Sequence, residues 1–443
     1  MFKAARQRLT IHSGSLAAFL AIGVLCGPVQ ALGERYSPWY EGDRLVAPDA
    51  DYSDANGASV ALSGDLCAVG APFEDGAGSN RGAVYLYKRS GTHWIFEGKV
   101  QSPNPADGAE FGYSVALQGE TLVVGAWNDG GGSAYIFEPE PSIGLWVPRQ
   151  RLIPTQPLNG GEHYGVSVAI DGDTILVGAN VYYTGATPTG GEGAVFVFVS
   201  GDPDWTQQAM LTASDPMGGD TLGWALDIDG DRVLVGAPLA SHSSSYAGRA
   251  YTFVRSGTAW SQEAVLTTNL IDAIDLFGFS VALDGDTALV GANKGWHAPP
   301  HLSEAGAAFV YERSGSSWNE VAELTASVPN HEGGFAWAVA LRDGVALISD
   351  PIFTNPEPGV YVFERPATGW ADANENTKLV RTIGISFGVS IDMDGRRAIV
   401  GAPDDVVGGF DHAGAAYIYS SLLSSASSAG GGYGTGPGLC RHP

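Results

Sequence analysis

One unit recurs seven times in this chain of 443 residues, and the spacing inside it leaves little freedom in how the chain folds. Each copy holds a Phe-Gly-x-Ser-Val-Ala-Leu segment, a tight turn, a Leu-Val-Val-Gly-Ala-Pro segment and then a Gly-Ala-x-Tyr-x-Phe segment. The glycine of the first segment is Gly57, Gly112, Gly165, Gly223, Gly278 and Gly388, with Ala336 in the sixth copy. Neighbouring copies lie 52 to 58 residues apart, a period that belongs to closed or stacked repeats. The glycine of the second segment is Gly70, Gly125, Gly178, Gly236, Gly291 and Gly401, with Ser349 in the sixth copy, always 13 residues further on. A spacing that never varies requires a hairpin whose register is pinned.

The segments are short, rich in Val, Leu, Ile, Tyr and Phe, and punctuated by Gly, Asp, Asn and Pro, which predicts strands. Asp171-Gly172, Asp229-Gly230, Asp284-Gly285 and Asp394-Gly395 stand between the first two, a dipeptide that suits the two central positions of a type I′ turn. Ser63-Gly64 and Gln118-Gly119 fill the same slot. A fourth strand is expected to open at Trp94, Trp146, Trp205, Trp260, Trp318 and Trp370. The seventh copy ends after Tyr419 without one, while Trp39 to Leu45 repeats the Trp-to-Leu spacing and lies 18 residues before Gly57. Four antiparallel strands per unit predict an all-β, seven-bladed β-propeller in which the N-terminal strand completes the last blade and removes the open edges.

Phe111-Gly112 with Gly125-Ala126, and Phe387-Gly388 with Gly401-Ala402-Pro403, resemble FG-GAP repeats, the units of the integrin α-subunit propeller. The resemblance covers residues 36–420. It implies a propeller used for binding or adhesion outside the cell, and calcium held in an acidic loop between the first two strands of a blade. Here that loop is a two-residue turn, and its nearest approach to the calcium pattern is Asp227-Ile228-Asp229-Gly230-Asp231. Calcium takes six to eight oxygen ligands, so a plain turn is expected and no cofactor is assigned.

Lys and Arg number 23 against 48 Asp and Glu, a formal net charge of -25, which argues against nucleic acid and anionic membranes as partners. Lys3, Arg6 and Arg8, an apolar stretch over 16–25 and Val29-Gln30-Ala31 predict a secretory signal over residues 1–31, too short in its apolar part to span a bilayer. The Ser- and Gly-rich residues 421–443 predict a disordered tail. Cys67 occupies a core position of its repeat, so a disulfide to Cys440 is not expected.

The loop between the second and third strands runs from seven residues (Gly125 to Gly132) to fifteen (Gly178 to Gly193), whereas the first turn has one length throughout. Binding groups are expected where length varies on a constant scaffold. The candidate ligand-binding residues on that face are Trp127, Asp129, Tyr182, Tyr183, Trp296, Asp404 and Asp405. Rings beside carboxylates suit sugars or a protein hot spot, and rings packed against their own loops are the bland alternative. His297 and His301 flank two prolines and lack a third ligand, so zinc is not expected. The Gly-x-Ser serines Ser114, Ser167, Ser280 and Ser390 recur as a repeat position and are read as structural. The chain is thus expected to be a secreted or cell-surface module, monomeric and not an enzyme, that binds an extracellular protein or carbohydrate. The competing readings are an extracellular hydrolase or lyase acting in the axial channel, and a purely structural ring.

Overall fold

The computed structural model describes residues 38–185, 190–201, 203–241, 246–270, 275–294, 305–329, 334–351, 358–381 and 386–421. The expected signal segment, residues 422–443 of the expected tail with Cys440, and Trp296 lie outside the described residues, while Ser421, expected to open the tail, is the buried last residue of the strand Ala415–Ser421. Among the described residues every regular element is a β-strand, and the strands form seven four-stranded antiparallel sheets, one of them extended by a short parallel fifth strand, numbered here as blades 1 to 7 along the chain. The first strands, Ser59–Ser63, Ser114–Gln118, Tyr164–Asp171, Leu226–Asp229, Phe277–Asp284, Val339–Arg342 and Ile391–Asp394, lie innermost: each touches its two neighbours, and the last touches the first. Blade 7 takes its outer strand from the N-terminal side, where Trp39–Leu45 pairs antiparallel with Ala415–Ser421. The chain is a seven-bladed β-propeller closed in this way.

The apolar core is seven interblade layers rather than one nucleus. Leu66, Ala68 and Leu86 of blade 1 pack with Phe111, Leu122 and Tyr135 of blade 2, and the last layer joins Ile399, Ile418 and Leu45 to Val60, Cys67 and Tyr85. Cys67 is a free thiol in that layer, held well above its ordinary pKa by burial.

The two repeat glycines meet across each blade boundary. A Cβ on Gly125 would lie 2.0 Å from the carbonyl oxygen of Gly165 in the next blade, and one on Gly70 2.1 Å from that of Gly112. The first-segment glycines take positive φ, 89° at Gly112, where a side chain is disfavoured. The serine of the first segment completes the joint, donating to the same carbonyl. Ser59 to Gly112 is 2.7 Å, Ser114 to Gly165 2.8 Å, and Ser390 to Gly57, across the closing seam, 2.8 Å. Blade 6 departs at both positions: Ser349 replaces the glycine and Ala338 the serine, and the Ala338 N–H donates to the Ser349 hydroxyl at 2.9 Å.

Two expectations are corrected. Asp171 pairs with Thr174, so the central turn residues are Gly172 and Asp173, and only the glycine takes positive φ. That is the pattern of a turn with glycine first, as in type II′. Type I′ geometry, with positive φ at both centres, occurs at Asp343-Gly344 of blade 6. The physical reason is that the flanking aspartate works across the boundary. Asp171 accepts the N–H of Gly230 at 2.7 Å, Asp229 that of Gly285 at 2.6 Å and Asp394 that of Gly64 at 2.5 Å. The second correction concerns Trp370, which does not open a strand. The outer strand of blade 6 is Thr377–Val380, and the intervening Ala373–Asn374 pairs in parallel with Leu324 and Thr325 of blade 5.

Candidate functional site

Each first strand runs from the face bearing the variable loops to the face bearing the short turns. The residue between Gly and Ser in the first segment therefore stands at the channel mouth on the variable-loop face. All seven are apolar and half-buried or exposed: Ala58, Tyr113, Val166, Trp224, Phe279, Trp337 and Val389. Across blades 4 to 6 the rings touch in series, Trp224 to Phe279 at 5.5 Å between centroids and Phe279 to Trp337 at 5.2 Å. In blade 2, Tyr113 lies 5.5 Å from Trp127, whose ring meets His163 edge-on at 4.5 Å. This collar escaped the sequence reading because its residues belong to the constant segment, not to the loops. The available signal was the one apolar position that varies in size within an otherwise uniform motif.

The structure distributes the predicted site residues over blades 2, 3 and 7. Trp127 is half-buried and donates its indole N–H to Glu110 at 2.8 Å; burial raises the Glu110 carboxyl above its ordinary pKa. Tyr183 is exposed. Asp404 meets His412 Nδ1 at 2.8 Å and accepts the Ser386 hydroxyl.

Three of the candidates work inside the protein. Tyr182 is buried and packs edge-on against Phe196 in the layer between blades 2 and 3. Asp129 and Asp405 share one repeat position with Glu74, four residues after the second-segment glycine. In each case the acid meets a cation that lies over a third-strand tyrosine. Glu74 accepts Lys99 at 2.8 Å, with Lys99 over Tyr85. Asp129 lies 4.0 Å from Arg151, which lies over Tyr135. Asp405, 2% exposed, is bonded by Arg381, by Arg44 at 3.2 Å and by the Tyr417 hydroxyl, with Arg44, from the paired strand, and Arg381 both over Tyr417. Acid, cation and ring recur together because the cation's strand position faces the tyrosine in register. These carboxylates are thus spent on packing the blades.

Below the collar, the first strands enclose an axial cavity of about 380 Å³. Burial pushes the Asp227 carboxyl up to about 7, with Asp392 and Asp229 adding to the shift, and Asp392 up to about 6, with Asp394 adding. The oxygens of both face backbone donors of the next blade, Leu283 at 2.8 Å and Leu62 at 2.6 Å. The calcium pattern does not fit at residues 227–231. Asp227 and Asp229 are turned toward the next blade, and Asp231 is paired with Arg255 at 2.6 Å, which leaves far fewer than the six oxygens calcium needs. Among the described residues, no group of three or more His, Cys, Asp or Glu is placed to hold a metal, and no helix is long and apolar enough to cross a membrane.

The FG-GAP repeat family matches residues 39–87, 94–137, 146–198, 205–253 and 260–311, more than half of the chain. The chain is an FG-GAP repeat protein. Each matched segment begins on the tryptophan of one unit and ends in the third strand of the next blade, so the FG-GAP unit is offset from the blade by one strand. The same offset sends Trp39–Leu45 into blade 7. Integrin alpha-11 of Homo sapiens is 28% identical over 148 residues, which are 31% of this chain and 12% of that relative. The solved structure of Saccharomyces cerevisiae Sqt1 aligns with 86% of this chain and 99% of its own at 11% identity and a TM-score of 0.47.

Proposed function

We propose that this FG-GAP propeller is a secreted or cell-surface binding and adhesion module that recognises a protein or glycan partner through its variable-loop face. The observation that carries the reading is the apolar collar, with three large rings in contact across blades 4 to 6 and open to that face. Half-buried aromatic rings held on rigid strands are favourable anchors for a partner, because little side-chain entropy remains to be lost. The variable loops, including exposed Tyr183 and half-buried Trp127, form the surrounding rim. Engagement of the channel aspartates by backbone N–H groups supports binding rather than catalysis. The integrin similarity supports an extracellular setting and a protein as partner.

The test is binding of the full chain to an array of secreted proteins, surface proteins and glycans, beside a variant with Trp224→Val, Phe279→Val and Trp337→Val. Valine is what blades 3 and 7 carry at this position, so the fold is retained. Truncating anchors of this kind costs more than about 2 kcal/mol each, and the variant is expected to lose about 100-fold or more in affinity. A variant that binds every hit as well as the parent contradicts the proposal.

A further inference from the structure

The short-turn face repeats one closing device. In blades 1, 4 and 5 the second turn residue is Asp65, Asp231 or Asp286, whose carbonyl oxygen accepts the N–H of a third-strand arginine at 2.8 Å. Its carboxylate takes the Nε of the same arginine: Asp65 with Arg89 at 2.7 Å, Asp231 with Arg255 at 2.6 Å, Asp286 with Arg313 at 2.8 Å. Blade 6 keeps the backbone half, Arg365 N–H to Gly344 at 2.8 Å, but glycine has no carboxylate. Arg365 reaches instead to Glu312 of blade 5 at 2.6 Å.

A second device is missing at the same boundary. Trp260 donates its indole N–H to Gln208 at 2.7 Å and Trp318 to Glu263 at 2.9 Å. Each acceptor stands three residues after the tryptophan of the preceding repeat; three after Trp318 comes Val321. Val321 packs against the layer that holds Trp370. The Trp370 side chain, 8% exposed, has an indole N–H with no partner.

Both irregularities border one cavity of about 500 Å³ between blades 5 and 6, walled by Asp286, Glu312, Arg313, Asp343, Arg365 and Trp370 among others. Small-ligand sites run about 300–1,000 Å³. We propose that this cavity binds a neutral saccharide. Arg313 is paired with Asp286 and Arg365 with Glu312, and the further wall carboxylates Asp284 and Asp343 leave an excess of acid that disfavours anions and offers acceptors to sugar hydroxyls. The paired groups keep free lone pairs for hydroxyl donors and free N–H groups for hydroxyl acceptors. Trp370 adds a donor that lacks an acceptor, together with an apolar wall suited to the C–H face of a sugar ring. This site lies on the face opposite the collar.

The test is calorimetric titration of the full chain with glucose, galactose, mannose and maltose at millimolar concentration, and with lysine as a charged comparison. At least one sugar is expected to bind saturably. Val321→Glu, which restores the acceptor seen at Glu263, and Arg365→Ala are each expected to weaken that binding about tenfold or more with Tm little changed. The valine variant of the collar is expected to bind the sugar as the parent does, so this proposal and the adhesion reading fail separately. No saturable sugar binding, binding of lysine alone, or sugar binding that both cavity variants leave within about twofold overturns the proposal.

Discussion

Asp405→Asn tests how the ring is closed. Asp405 bonds Arg44 of the N-terminal strand, Arg381 after the last strand of blade 6 and Tyr417 of blade 7, so one carboxylate ties three chain segments at the seam. Asparagine keeps the volume and removes the charge. Leaving the partners of a fully buried ion pair without their counterion costs about 3–5 kcal/mol. Here Arg44 is 36% and Arg381 18% exposed, so water recovers part, and we expect a loss of about 2–3 kcal/mol. For a domain of this size that is a fall in Tm of about 2.5–4 °C, read by calorimetry and by urea unfolding. Amide exchange is expected to speed up selectively over Trp39–Leu45 and its partner Ala415–Ser421, the elements Asp405 anchors. Asp404→Asn, at a carboxylate that is 33% exposed, is the comparison and is expected to cost less than about 1 kcal/mol. A cost for Asp405→Asn below about 1 kcal/mol, or unchanged exchange in residues 39–45, refutes the reasoning.

Gly125→Ala is expected to destabilise by more than about 3 kcal/mol in urea unfolding, because its Cβ would meet backbone 2.0 Å away; Gly119→Ala, with open space but φ of 56°, is expected to cost only about 1–2 kcal/mol. Asn56 replaces the aromatic or leucine of the first segment and is fully buried with both side-chain polar atoms unpartnered, so Asn56→Leu is expected to raise Tm through about 1–3 kcal/mol of recovered desolvation. Asp227 titrates near 7 in the fold against an ordinary 3.8, so the folded state holds its proton more tightly and stability falls as pH rises from about 4 to about 7. Asp227→Asn is expected to flatten that slope and to exceed the parent at pH 8 by about 1–2 kcal/mol, allowing for water in the channel; denaturant titrations across that range check it.

Architecture was readable because it is written in repeats. The constant distance between Gly112 and Gly125 reports a backbone contact that admits no side chain, and the displaced Trp39-to-Leu45 segment reports closure. Side-chain duties were less readable. Asp171 and Asp229 look like turn residues because turn chemistry is local, whereas their bonds to Gly230 and Gly285 lie 59 and 56 residues away in sequence. Asp405 and Tyr182 look like loop residues, and their burial follows from neighbours that only the folded ring supplies. The collar stayed hidden for the opposite reason, since Trp224, Phe279 and Trp337 read as core until the ring places them at an open mouth.

Amide exchange of the full chain, alone and bound to its strongest array partner, tests the adhesion reading most directly. The account predicts slowed exchange around Tyr113, Trp224, Phe279 and Trp337 and in the loop after Gly125, with no change at the turns holding Gly64, Gly119, Gly172 and Gly230. Protection confined to those turns, with the collar unaffected, would contradict it.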